Sequence, residues 1–85
     1  MVNTHIEIMN LIDIARNIGL SEEDANNAVE YLKHSEYGLA LDLLLTQIYE
    51  YELPIDAFFY ASVEMVAKAM NLPEKDYVYV KELID

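Results

Sequence analysis

The sequence predicts an all-α fold, a single small bundle of about five short helices spanning residues 1–85. Three observations carry this. Apolar residues recur at intervals of three and four through most of the chain. The two glycines and two prolines are too few to punctuate a sheet and fall where helices should begin or end. There is no cysteine to supply disulfides, so 85 residues with 54% apolar content must hold together by one packed core.

The first helix is read from about Thr4 to Ile18, with Ile8, Leu11, Ile12, Ala15 and Ile18 on one face. Asn3 or Thr4 can cap its start, and Gly19 suits the position after its end, where φ is often positive. Ser21-Glu22-Glu23-Asp24 is the strongest start signal, an N-cap hydroxyl followed by three carboxylates at the positive end of the helix dipole. Ala25, Ala28, Val29 and Leu32 then form a narrow stripe ending near His34, and its small residues predict a closely packed neighbouring helix.

The third helix, about Tyr37 to Glu52, is the most apolar. Tyr37, Leu41, Leu44, Leu45, Ile48 and Tyr51 share a face, while Leu39 and Leu43 lie well off it, which marks a central helix. Pro54 ends it, because the residue before a proline is pushed out of helical geometry. Asp56 caps a fourth helix, with Phe59, Ser62, Val63, Val66, Ala69 and Met70 aligned, and Asn71-Leu72-Pro73 closes it. Residues 74–84 carry two patterns. Tyr77-Val78-Tyr79-Val80 alternates as a strand would, yet Tyr77, Val80 and Ile84 keep helical spacing. A lone strand would leave its backbone unpaired, so a fifth helix is predicted.

Sixteen Asp and Glu against five Lys and Arg give a net charge of -11. Nucleic-acid and anionic-membrane binding both depend on basic side chains, so neither is expected, and the complementary partner is a basic protein. The start lacks a basic leader region and no apolar run is long enough to span a bilayer, which predicts a soluble cytoplasmic protein. Self-repulsion at this charge favours a monomer, or a 1:1 heterodimer with the partner.

No calcium loop, phosphate-binding loop, dinucleotide fingerprint or paired-histidine zinc motif is present, so no cofactor, metal or catalytic residue is assigned. His34 is best placed as a residue favoured by the dipole at a helix C-terminus, and Glu50 with Glu52 falls at a helix end without an evident cleft. The serines lack the Asp-Ser-Leu context of an acyl carrier protein. What remains is the outer side of the third helix. Asp42, Thr46, Tyr49 and Glu50 lie opposite its core stripe, flanked by Leu39 and Leu43, with Glu36, Tyr37 and Glu52 at the two ends. Acid, tyrosine and aliphatic residues together suit a protein interface, since tyrosine gives contact area and a hydroxyl at little entropic cost. Packing of Leu39, Leu43 and Tyr49 beneath the first or fifth helix is an equally good reading of the same positions.

The stretch from Glu36-Tyr37-Gly38-Leu39-Ala40-Leu41-Asp42-Leu43-Leu44 through Gln47-Ile48-Tyr49-Glu50-Tyr51-Glu52-Leu53-Pro54-Ile55 resembles the MafI family of bacterial immunity proteins, related in role to the CdiI immunity proteins of contact-dependent growth inhibition. Gly19-Leu20-Ser21-Glu22-Glu23-Asp24 and Tyr79-Val80-Lys81-Glu82-Leu83 fit the same pattern, so the resemblance runs from about Leu11 to Ile84 and rests on order and spacing. The family pattern has a glycine where Ser35 stands, and often a tryptophan near Tyr77. The resemblance implies a non-enzymatic, cytoplasmic antidote that binds the C-terminal toxin domain of a large secreted effector, often an RNase of EndoU or RNase A-like type. A small acidic helical adaptor for a basic DNA-binding protein is the alternative expectation.

Overall fold

A computed structural model describes residues 2–85. Four α-helices follow one another: α1 Thr4–Asn17, α2 Glu22–Lys33, α3 Tyr37–Glu50 and α4 Ala57–Ala69. Two 3₁₀ segments, Glu74–Asp76 and Val78–Leu83, take the place of the predicted fifth helix. No strand forms among the described residues. A single parallel bridge joins Ile55 to Ile84, and the Asp85 amide donates to the Ile55 carbonyl at 2.9 Å, tying the C-terminus to the α3–α4 connection.

The helix starts follow the predicted chemistry. Asn3, Ser21 and Asp56 each accept from the backbone amide three residues on, at 3.1, 3.1 and 2.7 Å. α3 begins differently. Only three residues separate it from α2, and Glu36 at its N-cap makes no side-chain cap; its amide is already bonded to the Tyr31 carbonyl of α2. Replacing Asp56 with Ala should lower stability by about 1 kcal/mol, while Asp56→Asn should stay near the parent, as denaturant unfolding would show.

All four helices end with the same double bond pattern. The amide of the second residue past the cap reaches back five positions, in Leu20 to Ala15, Glu36 to Tyr31, Leu53 to Ile48 and Leu72 to Ala67. Such an ending needs a left-handed residue between, which glycine adopts without steric penalty. Only α1 has one, Gly19 at φ 124°; the others use Ser35 at 58°, Glu52 at 50° and Asn71 at 59°. A side chain in that region costs roughly 1–2 kcal/mol, partly offset by the greater unfolded-state freedom of glycine. Ser35→Gly should therefore stabilise the fold by about 0.5–1 kcal/mol and raise Tm by roughly 2–8 °C in a thermal melt.

The core contains the predicted faces. Ile8, Leu11, Ile12 and Ala15 of α1, Ala25, Ala28 and Leu32 of α2, Ala40, Leu41, Leu44, Leu45 and Ile48 of α3 and Phe59, Val63 and Val66 of α4 are all buried. α2 and α3 share the largest helix–helix contact, as the alanines require, and Gln47 Nε2 crosses it to donate to Asp24 Oδ1 at 2.9 Å. α3 touches α1, α2 and the second 3₁₀ segment, so it is central.

Two predicted core positions are corrected. Tyr51, extrapolated onto the α3 stripe, is 63% exposed, because it is the C-cap and the left-handed Glu52 turns the chain away after it. On α4, Ala69 is exposed, and Tyr60 and Ala67 are buried instead.

The C-terminal segment resolves its own two patterns. A 3₁₀ helix repeats every three residues, so side chains at i and i+3 eclipse. Tyr77 and Val80 accordingly share the buried side, with Leu83 partly buried against the core. Tyr79 and Glu82 form a second row on the neighbouring edge, beside α3.

Candidate functional site

The outer side of α3 is open to solvent. Asp42, Thr46 and Glu50 are exposed, Tyr49 is 39% exposed and Leu39 is 49% exposed; Leu43 is half-buried against the core. Of the two readings of these leucines, Leu43 fits packing and Leu39 fits a surface.

The C-terminal 3₁₀ segment completes this surface, and sequence reasoning missed its contribution. The Tyr49 and Tyr79 rings meet edge to face at 5.1 Å and 87°. The nearby Glu82 carboxylate, then burial and the charge of Glu52, hold the Tyr49 phenol above its ordinary value of 10.0. Burial also raises Tyr79, opposed by the neighbouring Thr46 and assisted by the charges of Asp42 and Asp76. Asp42 and Tyr49 of α3 are thus joined on this side by Asp76, across a shared groove, and by Tyr79, ring to ring. The available signal was the three-residue spacing of Tyr79 and Glu82, masked by the strand-like alternation of residues 77–80.

The predicted residues do not form one continuous patch. Glu50 and Glu52 line a shallow cleft of about 220 Å³ with Tyr49, Glu82 and Leu83, so these two acids do face a concavity, contrary to the expectation of a bare helix end. Asp42 lines a separate groove toward Asp76 and Tyr77. Glu36 lies at the other end of α3, beside His34, Tyr31 and Glu30 of α2. Tyr37 is half-buried with its ring edge-on to His5 of α1 at 6.1 Å, which makes it a packing residue more than a contact residue.

Charge is distributed unevenly. Every ion pair among the described residues lies on α1, α2 or α4, where Arg16 pairs with Asp13 and Glu22, Lys33 with Glu30, and Lys68 with Glu64. Lys81 lies 5.8 Å from the centre of the Tyr60 ring. Asp42, Glu50, Glu52, Asp76 and Glu82 take part in none of these pairs and outnumber Lys75 and Lys81, so the field on the α3 and C-terminal side stays negative. His34 is the C-cap of α2, as its dipole preference suggests, with Nε2 at 3.4 Å from Glu30. No group of three or more metal-ligating side chains occurs among the described residues, and no helix there is long and apolar enough to cross a membrane.

A second exposed surface has different chemistry. Phe58, 84% exposed, and Met65, 41% exposed, stand seven residues apart on one side of α4 with Ala61 between them.

The raised phenols make stability fall in alkali. Tyr49, Tyr60 and Tyr79 all hold their protons more tightly when folded than the ordinary value of 10.0 allows. The folded state therefore binds more protons than the unfolded one above that pH. Stability from these groups is complete below pH 10 and is lost as pH rises through the folded values. Ultraviolet titration should show part of the phenolate signal delayed in the native protein and restored to lower pH in denaturant.

No protein-family model matches this sequence, and no curated protein or solved structure matches it.

Proposed function

We propose that the chain is an immunity protein that binds and neutralises a basic toxin domain, an RNase of EndoU or RNase A-like type, by presenting an acidic surface that competes with RNA. The observation that carries this is the unneutralised acid and tyrosine along α3 and the C-terminal 3₁₀ segment. Asp42, Glu50, Glu52, Asp76 and Glu82 stand outside every ion pair among the described residues, beside Tyr49 and Tyr79, and outnumber Lys75 and Lys81 on the same side, while Arg16, Lys33 and Lys68 pair with acids of α1, α2 and α4. An RNA-degrading surface must itself be cationic to hold phosphates, so it meets this face with opposite charge.

The sizes are compatible. A standard interface takes about 800 Å² per partner, roughly a sixth of the 5081 Å² surface of this molecule. The clefts on the acidic side are shallow, which suits contact with a partner's side chains more than the enclosure of a substrate. The resemblance of the α3 region to the MafI family supports the same role, in the cytoplasm and without catalysis. Tyr49 and Tyr79 would supply apolar contact, with the carboxylates setting approach and register.

The test is co-purification with the product of the neighbouring gene, then an RNase assay with and without this protein. Loss of RNA cleavage at equimolar antidote is expected. Full cleavage at that ratio would overturn the proposal, and co-purification with a DNA-binding protein would assign the same surface to an adaptor.

A further inference from the structure

The groove between the start of α3 and the chain leading out of α4 has a build that none of the foregoing requires. Its inner wall is apolar: Leu41 and Leu45 are each 1% exposed and Tyr77 is 2% exposed. Leu39 stands at the lip. Gly38 keeps one side low, since a Cβ there would meet only the Met70 terminal methyl, at 3.9 Å. Two carboxylates from different elements, Asp42 of α3 and Asp76 of the first 3₁₀ segment, line the same groove, and both act on the Tyr79 phenol. Neither takes part in an ion pair of the folded chain.

We infer that this groove receives a single arginine side chain of the protein partner. The inference rests on the proposed basic partner and names the group by which that partner is held. An apolar wall ending at two carboxylates matches a side chain with an aliphatic stem and a cationic head. A purely apolar ligand would leave both acids desolvated for nothing, and an anion is repelled. At about 270 Å³ and open to solvent, the groove is smaller than sites that enclose small molecules, about 300–1,000 Å³, which suits a protruding side chain. Arginine fits better than lysine. Its planar guanidinium is less strongly hydrated, can serve two acceptors at once and stacks on tyrosine, whereas an ammonium is a compact, strongly hydrated charge.

The test is a titration of the isotope-labelled protein with N-acetyl-arginine methylamide, followed by amide NMR shifts, with the lysine and citrulline analogues in parallel. Citrulline keeps the shape of arginine without its charge. Saturable shifts confined to Gly38, Leu39, Asp42, Asp76 and Tyr77 are expected with arginine, weaker ones with lysine and none with citrulline. The Asp42→Asn/Asp76→Asn double variant should bind arginine about tenfold more weakly, as loss of two exposed charge-assisted contacts implies. Gly38→Met, which fills the groove and leaves both carboxylates, should weaken binding as well. Shifts spread equally over the acidic α2 start at Glu22, Glu23 and Asp24, or undiminished binding in both variants, would overturn the inference. The two readings fail separately. Arginine binding in the groove without toxin inhibition removes the immunity function and keeps the groove; inhibition that survives in both variants keeps the function and removes the groove.

Discussion

Reversing Asp42 and Glu50 to lysine should slow association with the proposed basic partner by about ten- to a hundredfold at low salt and flatten its salt dependence. Steered encounter between opposite fields can exceed the neutral range of about 10⁵–10⁶ M⁻¹s⁻¹ by two or three decades, and it is the steering that these charges provide. Each reversal changes the charge by two, so net charge moves from -11 by four to -7, which alone leaves the protein acidic. The effect therefore depends on where the charges sit. A matched control reverses Glu7 of α1 and Glu23 of α2, neither of them in an ion pair among the described residues, with the same total change. Stopped-flow association at several salt concentrations should separate the pairs. Equal slowing by the two would mean that net charge alone governs encounter, and no slowing by the α3 pair would take this surface out of the interface. Both α3 positions are exposed, so circular dichroism should show an unchanged fold.

Leu44→Ala should cost about 2–5 kcal/mol, and Leu39→Ala on the same helix only a fraction of that. Leu44 is 1% exposed at the centre of the core, whereas Leu39 is 49% exposed at the lip of the groove. Removing Leu44 loses both the transfer free energy of its side chain and the packing around the space left behind. A domain of this length is stable by roughly 4–13 kcal/mol in all, so the core substitution can consume a third or more of the total. The corresponding fall in Tm is about 10–30 °C, read directly from thermal melts of the two variants. Similar losses from both would show that Leu39 is packed and that the groove is not a free surface.

These substitutions also mark what was legible before the fold was known. Leu44 is placed inside by its spacing with Leu41, Leu45 and Ile48, because a helix repeats every 3.6 residues and carries its buried face in its own sequence. The caps are equally local. Asn3, Ser21 and Asp56 reach amides only three residues away, so no distant part of the chain is needed to position them. Tyr51 shows the limit of such reasoning. Its spacing continues the α3 stripe, but the period holds only while the backbone stays helical, and Glu52 at φ 50° breaks it.

The candidate surface was half legible. Asp42, Thr46, Tyr49 and Glu50 could be placed on the outer side of α3 by counting turns, yet counting says nothing about what lies beside them. Asp76, Tyr79 and Glu82 come to that edge through contacts more than twenty-five residues distant along the chain, anchored by the Ile55–Ile84 bridge and the Asp85 amide. The same contacts set the C-terminal segment in a three-residue repeat, which parts Tyr77 from Tyr79, placing one in the core and leaving the other half-buried against Tyr49 at the edge of α3.

The helical class, three of the four helix starts and most of the core were thus determined by the sequence alone, since each depends on groups within about one turn of one another. Which side of α3 stays uncovered, which acids remain unpaired and where a groove opens were decided only by tertiary structure. Those features depend on how separate elements meet, and a helix's own periodicity carries no record of its neighbour's edge.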